Sequence, residues 1–256
     1  MGDKSQRIVL VTGGAKGIGR GISERFLADG ATVVACGREA PASLPAAGGR
    51  KAEFIAADVR DVAAVDALFE QVHRRFGHLD VLVNNAGGSP FVAADKASPR
   101  FHEAIVRLNL LAPLHLAQKA NALMQAQDGG GVIEFIASVS ALRPSPGTAA
   151  YGAAKAGILN LAQSLAVEWA PKVRVVAISP GLVRTEQSAL HYGDDLAAVA
   201  ATVPAGRLAE PGEIGDACVW LASSAAAYAS GTNLVLHGGG ERPAFLDAAR
   251  ANKNDV

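Results

Sequence analysis

Hydrophobic residues fall along this chain in two alternating rhythms. Short runs rich in β-branched residues occur at Ile8 to Val11, Thr32 to Ala35, Phe54 to Ala57, Val81 to Asn84, Val132 to Ala137, Val173 to Ile178 and Leu234 to Leu236. The runs are continuously apolar rather than alternating, which predicts strands buried on both faces, as in a covered parallel sheet. Between them, Ile18 to Ala28, Val62 to Phe76, Phe101 to Gln127, Tyr151 to Trp169 and Glu213 to Ser223 carry helical periodicity. Each is long enough to cross over and return to a parallel strand. The pattern predicts an α/β fold: one Rossmann-like, doubly wound domain over residues 1–256, with a seven-stranded parallel sheet flanked by helices. Ligands of such sheets sit beyond the strand C-termini. The Pro/Ala/Gly-rich stretch from Arg38 to Arg50 is expected to be a loop. Residues 185–207 are expected to form a lightly packed substrate lid, and 241–256 a C-terminal tail.

Composition narrows the classes. At 256 residues the chain can bury roughly three quarters of its unfolded surface. Lys plus Arg and Asp plus Glu both total 24, so no net field attracts nucleic acid or an anionic membrane, and neither is an expected partner. Cys36 and Cys218 form no framework and are read as free thiols. The six His show no metal-ligand spacing, so no metal is expected. The polar Met1 to Arg7 segment lacks a signal-peptide core, Gln6 breaks the myristoylation pattern, and no apolar run approaches membrane-spanning length, which predicts a cytoplasmic protein.

The first strand ends in Thr12-Gly13-Gly14-Ala15-Lys16-Gly17-Ile18-Gly19. Gly13 permits a tight turn, Gly17 lets backbone approach a pyrophosphate, and Gly19 lets the next helix pack closely, its N-terminus facing the anion. The spacing differs from the commoner Gly-x-Gly-x-x-Gly fingerprint, and alone it reads equally as a strand-to-helix loop. Asp58 closes the third strand and Asn84-Asn85-Ala86-Gly87 the fourth, on the edge where a cofactor belongs. Tyr151 and Lys155 share one helix face. A phenol titrating near ~10 is a poor base at neutral pH, and a neighbouring ammonium favours its ionised form. Ser138 ends the fifth strand on the same edge, where its hydroxyl can hold a substrate oxygen. Ser140 competes for that role, and a turn or cap would also explain Ser138. Asn109 sits in an apolar helix, where its amide needs a partner, structural or catalytic.

Together, Thr12-Gly13-x-x-x-Gly17-x-Gly19, Asp58, Asn84-Asn85-Ala86-Gly87, Asn109, Ser138, Tyr151-x-x-x-Lys155 and Pro180-Gly181 resemble the classical short-chain dehydrogenase/reductases over about Arg7 to Gly240. The resemblance implies a nicotinamide-dependent oxidoreductase that interconverts a secondary alcohol and a ketone. In it Tyr151 is the proton donor or acceptor, Ser138 orients the substrate oxygen, and Lys155 also binds the nicotinamide ribose. Asn109 supports a water leading to Lys155, Asp58 with Val59 meets adenine, Asn85, Ala86 and Gly87 line the cofactor, and Pro180, Gly181, Val183 and Thr185 approach the nicotinamide. A homotetramer is implied. The stretch Val203 to Leu208 looks like that of 3-oxoacyl-thioester reductases, although Phe135, Val176 and His237 depart from that pattern. Ser89, Phe91, Ser140, Leu142, Arg143, Leu182, His191 and Tyr192 are candidate substrate contacts. They suggest an apolar small molecule such as an acyl thioester or steroid-like compound. A non-catalytic dinucleotide-binding scaffold and an NAD(H)-dependent alcohol dehydrogenase remain as alternatives, as does an epimerase or dehydratase of the extended subgroup.

For the cofactor, the second strand ends in Gly37 where NAD enzymes carry a carboxylate for the ribose 2′-hydroxyl. Arg38 follows, able to pair with a 2′-phosphate, and Lys16 adds a second cation. NADP(H) is the expected cofactor, with NAD(H) left open because Glu39 could turn inward.

Overall fold

A computed structural model describes residues 6–241. Its centre is a seven-stranded sheet of β1 (Ile8–Thr12), β2 (Thr32–Gly37), β3 (Glu53–Ala56), β4 (Val81–Asn84), β5 (Gly131–Ile136), β6 (Val173–Pro180) and β7 (Asn233–Leu236). The order across the sheet is β3-β2-β1-β4-β5-β6-β7, with every pairing parallel. The order in which strands are added reverses between β1 and β4, and at such a switch point the loops leaving the strand ends part to form a crevice. The expected α/β doubly wound architecture is observed.

Alternate residues of the strands feed two apolar layers. Ile8, Leu10 and Val34 point to the side covered by α2 (Val62–Phe76), α4 (Ala112–Ala126) and α5 (Ala149–Glu168), with Phe69, Leu116 and Ile158 opposite them. Val9, Val11 and Val33 point to the other side, against Ile22 and Phe26 of α1 (Gly17–Ala28) and Ile214 of α8 (Pro211–Leu221). Helix starts follow local chemistry: the Asp61 carboxylate accepts from the Ala63 backbone N–H at 2.9 Å to open α2, and Gly77 closes it in the left-handed region, the conformation glycine adopts most cheaply. Among the described residues, no helix is long and apolar enough to cross a membrane.

Two expectations are corrected. The stretch Arg38 to Arg50 is not only loop: Ala46–Ala47 pairs antiparallel with Arg50–Lys51. The intervening Gly48 and Gly49 have φ of 57° and 72°, the pair of left-handed residues that a two-residue hairpin turn needs. The single helix expected from Phe101 to Gln127 is α3 (Pro99–Val106), a π-helical turn at Arg107–Leu111, and α4. Pro113 has no N–H to donate to the Asn109 carbonyl, and the Asn109 amide nitrogen donates to the Ile105 carbonyl oxygen at 2.9 Å, so the ladder widens there. The segment after β6 also contains two short helices, α6 (Ser188–Tyr192) and α7 (Leu196–Ala201). Of the expected tail, residues 242–256 lie outside the described residues.

Candidate active site

At the C-terminal edge of the sheet a cleft of about 790 Å³ opens over the switch point, within the range of small-molecule sites (~300–1,000 Å³). Its floor begins with the glycine turn. Gly13 has φ of 63° and donates its N–H to the Cys36 carbonyl at 2.8 Å. A Cβ on Gly19 would lie 2.2 Å from the Gly13 carbonyl oxygen, so any side chain there would push the α1 N-terminus off the turn. Thr12 does not line the cleft. It is buried beneath, and its hydroxyl accepts the Asn85 and Ala86 backbone N–H groups, each at 2.9 Å. Asn85 closes the ring by donating its amide to the Thr12 carbonyl at 2.9 Å. The loops after β1 and β4 are thus one hydrogen-bonded unit, and the N–H groups opening α1 face the cleft as an anion seat.

Lys16, Gly17, Ile18 and Gly19 border this seat, and Gly37, Arg38, Glu39, Asp58 and Val59 form the far wall. Asp58 is not free: Arg60 donates to both its oxygens, at 2.9 and 3.2 Å from Nε and 2.6 Å from an amino group. That bidentate pair, with a smaller pull from Arg38, lowers the Asp58 pKa to about 2. Sequence reading missed Arg60, although Asp58-Val59-Arg60 leaves a strand end, where residues two apart share a side. Glu186 was also missed. Its carboxylate reaches across from the loop after β6 and accepts the Gly17 N–H at 3.0 Å, resting on the anion seat itself.

The chemistry-bearing residues converge midway along the cleft. Lys155 is buried, donates to the Ile136 carbonyl at 2.7 Å, and holds its ammonium 5.6 Å from the centre of the Tyr151 ring. Burial lowers its pKa to about 8. Burial raises that of Tyr151, opposed by the neighbouring Ser138 hydroxyl. The ammonium expected to favour the phenolate is spent on a main-chain carbonyl, so in this state Tyr151 keeps its proton. Ser138 also accepts the Ser140 N–H at 3.1 Å, so the capping role and the cleft role coexist. Asn109 is buried at the π turn; it accepts from the Gly88 N–H at 2.9 Å and donates to the Gly88 carbonyl at 3.0 Å, fixing the loop after Gly87.

Beyond Ser138, the substrate half is walled by Ser89, Phe91, Ser140, Arg143, Leu182, His191 and Tyr192. Leu142 is not among these walls: it is 52% exposed. The 3₁₀ turn Val139–Ala141 rotates the chain about a third of a circle per residue, so Leu142 does not share the side that Ser140 presents. Pro180, Gly181, Val183 and Thr185 line the wall opposite. The base of the expected lid is pinned by Arg184 N–H to Ala209 O at 2.8 Å and Ala209 N–H to Leu182 O at 2.9 Å.

Residues 13–241 match the family model described as Enoyl-(Acyl carrier protein) reductase. The chain is 34% identical over 240 residues to a 3-oxoacyl-[acyl-carrier-protein] reductase of Haemophilus influenzae, covering 91% of this chain and 97% of that one. It is 35% identical over 247 residues to 3beta-hydroxysteroid dehydrogenase 1 of Eggerthella lenta, covering 93% and 94%. An uncharacterized short-chain type dehydrogenase/reductase of Sinorhizobium fredii is 38% identical over 250 residues; the match covers 91% of this chain but only 43% of that longer protein. Among solved structures, a variant of actinorhodin polyketide ketoreductase with NADPH superposes with a TM-score of 0.85 at 28% identity, covering 93% of this chain and 98% of that one.

Proposed function

From the premise that this chain belongs to the short-chain dehydrogenase/reductase family, and is an oxidoreductase acting on hydroxyl or keto groups, we propose that it reduces a ketone with NADPH using Tyr151 as proton donor. The observation that carries this reading is the meeting of Ser138, Tyr151 and Lys155 in the middle of a cleft whose one end is a glycine-turn anion seat. NADP(H), when bound, supplies the hydride. The anion seat, where the Gly17 N–H now meets the Glu186 carboxylate, would hold its diphosphate. Arg38 and Lys16 fit a 2′-phosphate, and Arg60 neutralises Asp58 on the same wall, which leaves Glu39 as the carboxylate there that opposes it.

The protein's own part is proton handling and positioning. Ser138 donates to the substrate oxygen and holds it beside the phenol. Burial keeps Tyr151 protonated, which suits a general acid for the reductive direction. Lys155, anchored on Ile136, is placed to bind the nicotinamide ribose and to stabilise the phenolate left after proton transfer. Leu182 and Phe91 offer apolar surface to the body of the substrate, in line with relatives named for 3-oxoacyl and hydroxysteroid activities. Residues 185–207 act as its lid. The protein is proposed to work in the cytoplasm as one catalytic domain assembled into a homotetramer.

The test is turnover of a ketone panel followed by nicotinamide absorbance with both cofactors. Tyr151→Phe should lower kcat by about 100-fold or more while leaving NADPH affinity near wild type; retention of more than about a tenth of the rate sinks the assignment. A second reading, NAD(H) use, is favoured by Glu39 lining the cleft beside Arg38. Equal or better catalytic efficiency with NADH would establish it, and under the NADPH reading Arg38→Asp costs NADPH but not NADH.

A further inference from the structure

The cations of the cleft divide by position, and all but one have a partner in the reading above. Lys16, Arg38 and Arg60 stand at the adenosine end, and Lys155 lies beneath Tyr151. Arg143 stands at the opposite end, on the segment that also carries Ser138 and Ser140.

Arg143 is held ready rather than left loose. One amino group donates to the Pro144 carbonyl at 3.0 Å, and the other grips the Glu241 carboxylate. Proton donor, Tyr192 and guanidinium line the same cleft. The walls between them carry hydroxyls and an imidazole from Ser89, Ser140, Ser145, Thr148 and His191. Such walls, with a cation at their end, suit a substrate that itself carries a polar or charged end better than a wholly apolar one.

We propose that the substrate is an oxo acid, whose carboxylate is bound by Arg143 while its keto group meets Ser138 and Tyr151. This rests on the reading of Tyr151 as proton donor. Glu241 shows which chemistry the guanidinium accepts, because it is itself a carboxylate seated there. It is also displaceable: side chains of the pair are 38% and 43% exposed, and ion pairs so open to water contribute little. A substrate carboxylate, covered by the lid and fixed by the keto group at its other end, makes the same charge-assisted contact with less water around it.

The experiment uses the full-length enzyme with NADPH and matched pairs: acetoacetate and laevulinate against their methyl esters. Acids should exceed their esters in kcat/KM by about tenfold or more, the difference lying in KM. Arg143→Gln should abolish that preference, raising KM for the acids about tenfold more than for the esters, and Arg143→Lys should restore part of it. Glu241→Gln should lower KM for the acids severalfold and leave the esters unchanged, a result no merely structural role for the ion pair produces. Calorimetric binding of the same compounds to NADP-loaded Tyr151→Phe protein gives a readout independent of turnover. Esters used or bound as well as acids, a preference that survives in Arg143→Gln, or no binding of any acid would overturn the proposal. Acids bound selectively through Arg143 but never reduced would support it while overturning the reading of Tyr151.

Discussion

Lys155 and Glu134 are two buried ionisable groups joined by one strand: Ile136, whose carbonyl holds the Lys155 ammonium, lies two residues beyond Glu134 on β5. Burial moves both toward the same value from opposite sides, Lys155 down to about 8 and Glu134 up to about 8. Their surroundings differ. Lys155 opens on the cleft and has a 2.7 Å acceptor. Glu134 sits in the core opposite Val176, both its oxygens without a hydrogen-bond partner; burial outweighs the pull of Cys218, Arg174 and Arg7 toward the charged form. Arg174 spends its guanidinium on the carbonyls of Ala229, Leu221 and Ser223. A shifted pKa thus identifies burial, and only the partner and the access to a cleft separate a working group from a tolerated one.

The largest test of this contrast is on activity. Lys155→Met should cost about 100-fold or more in kcat/KM with no loss of melting temperature, whereas Glu134→Gln should leave kinetics within about twofold; the reverse pattern in steady-state assays would break the comparison.

Next comes stability against pH. From 4.5 to about 8 the unfolded chain releases the Glu134 proton while the folded chain keeps it, so stability falls as pH rises, by up to about 1.4 kcal/mol per pH unit from this group. From about 8 to 10.5 the folded chain has released the Lys155 proton and the unfolded chain has not, so the Lys155 contribution grows with pH and is lost as pH falls back toward 8. Urea titrations of wild type minus Glu134→Gln should slope downward through the first window, and wild type minus Lys155→Met upward through the second. Parallel curves for either pair would refute the corresponding burial effect. The smallest effect is expected for Glu134→Leu at pH 5, a gain of about 1–3 kcal/mol from removing an orphaned polar group, read as a melting temperature higher by a few degrees. A lower melting temperature would mean that Glu134 has a partner of value.

Much of this molecule was legible in the chain. The seven strands were found to within about two residues at either end, because continuous β-branched runs have few alternatives to a doubly covered sheet. The glycine turn, Tyr151, Lys155 and Ser138 were legible because strand-end positions and helix periodicity project them to one edge. The π turn at Asn109 escaped, because a missing proline donor and one side-chain bond change a helix without changing its apolar rhythm. Leu142 was misplaced for a related reason: two residues of 3₁₀ helix and two of extended chain look alike in sequence and point differently.

The sequence by itself determined what short-range rules determine: the layered α/β order, the glycines where no Cβ fits, and the residue types able to move a proton. Tertiary structure alone decided who partners whom. Glu186 crosses to Gly17, Arg143 closes on Glu241, and the Lys155 ammonium turns to a carbonyl of β5. These contacts join segments far apart in the chain, and Coulomb and desolvation energies depend on distances and burial in three dimensions that no spacing along one chain contains.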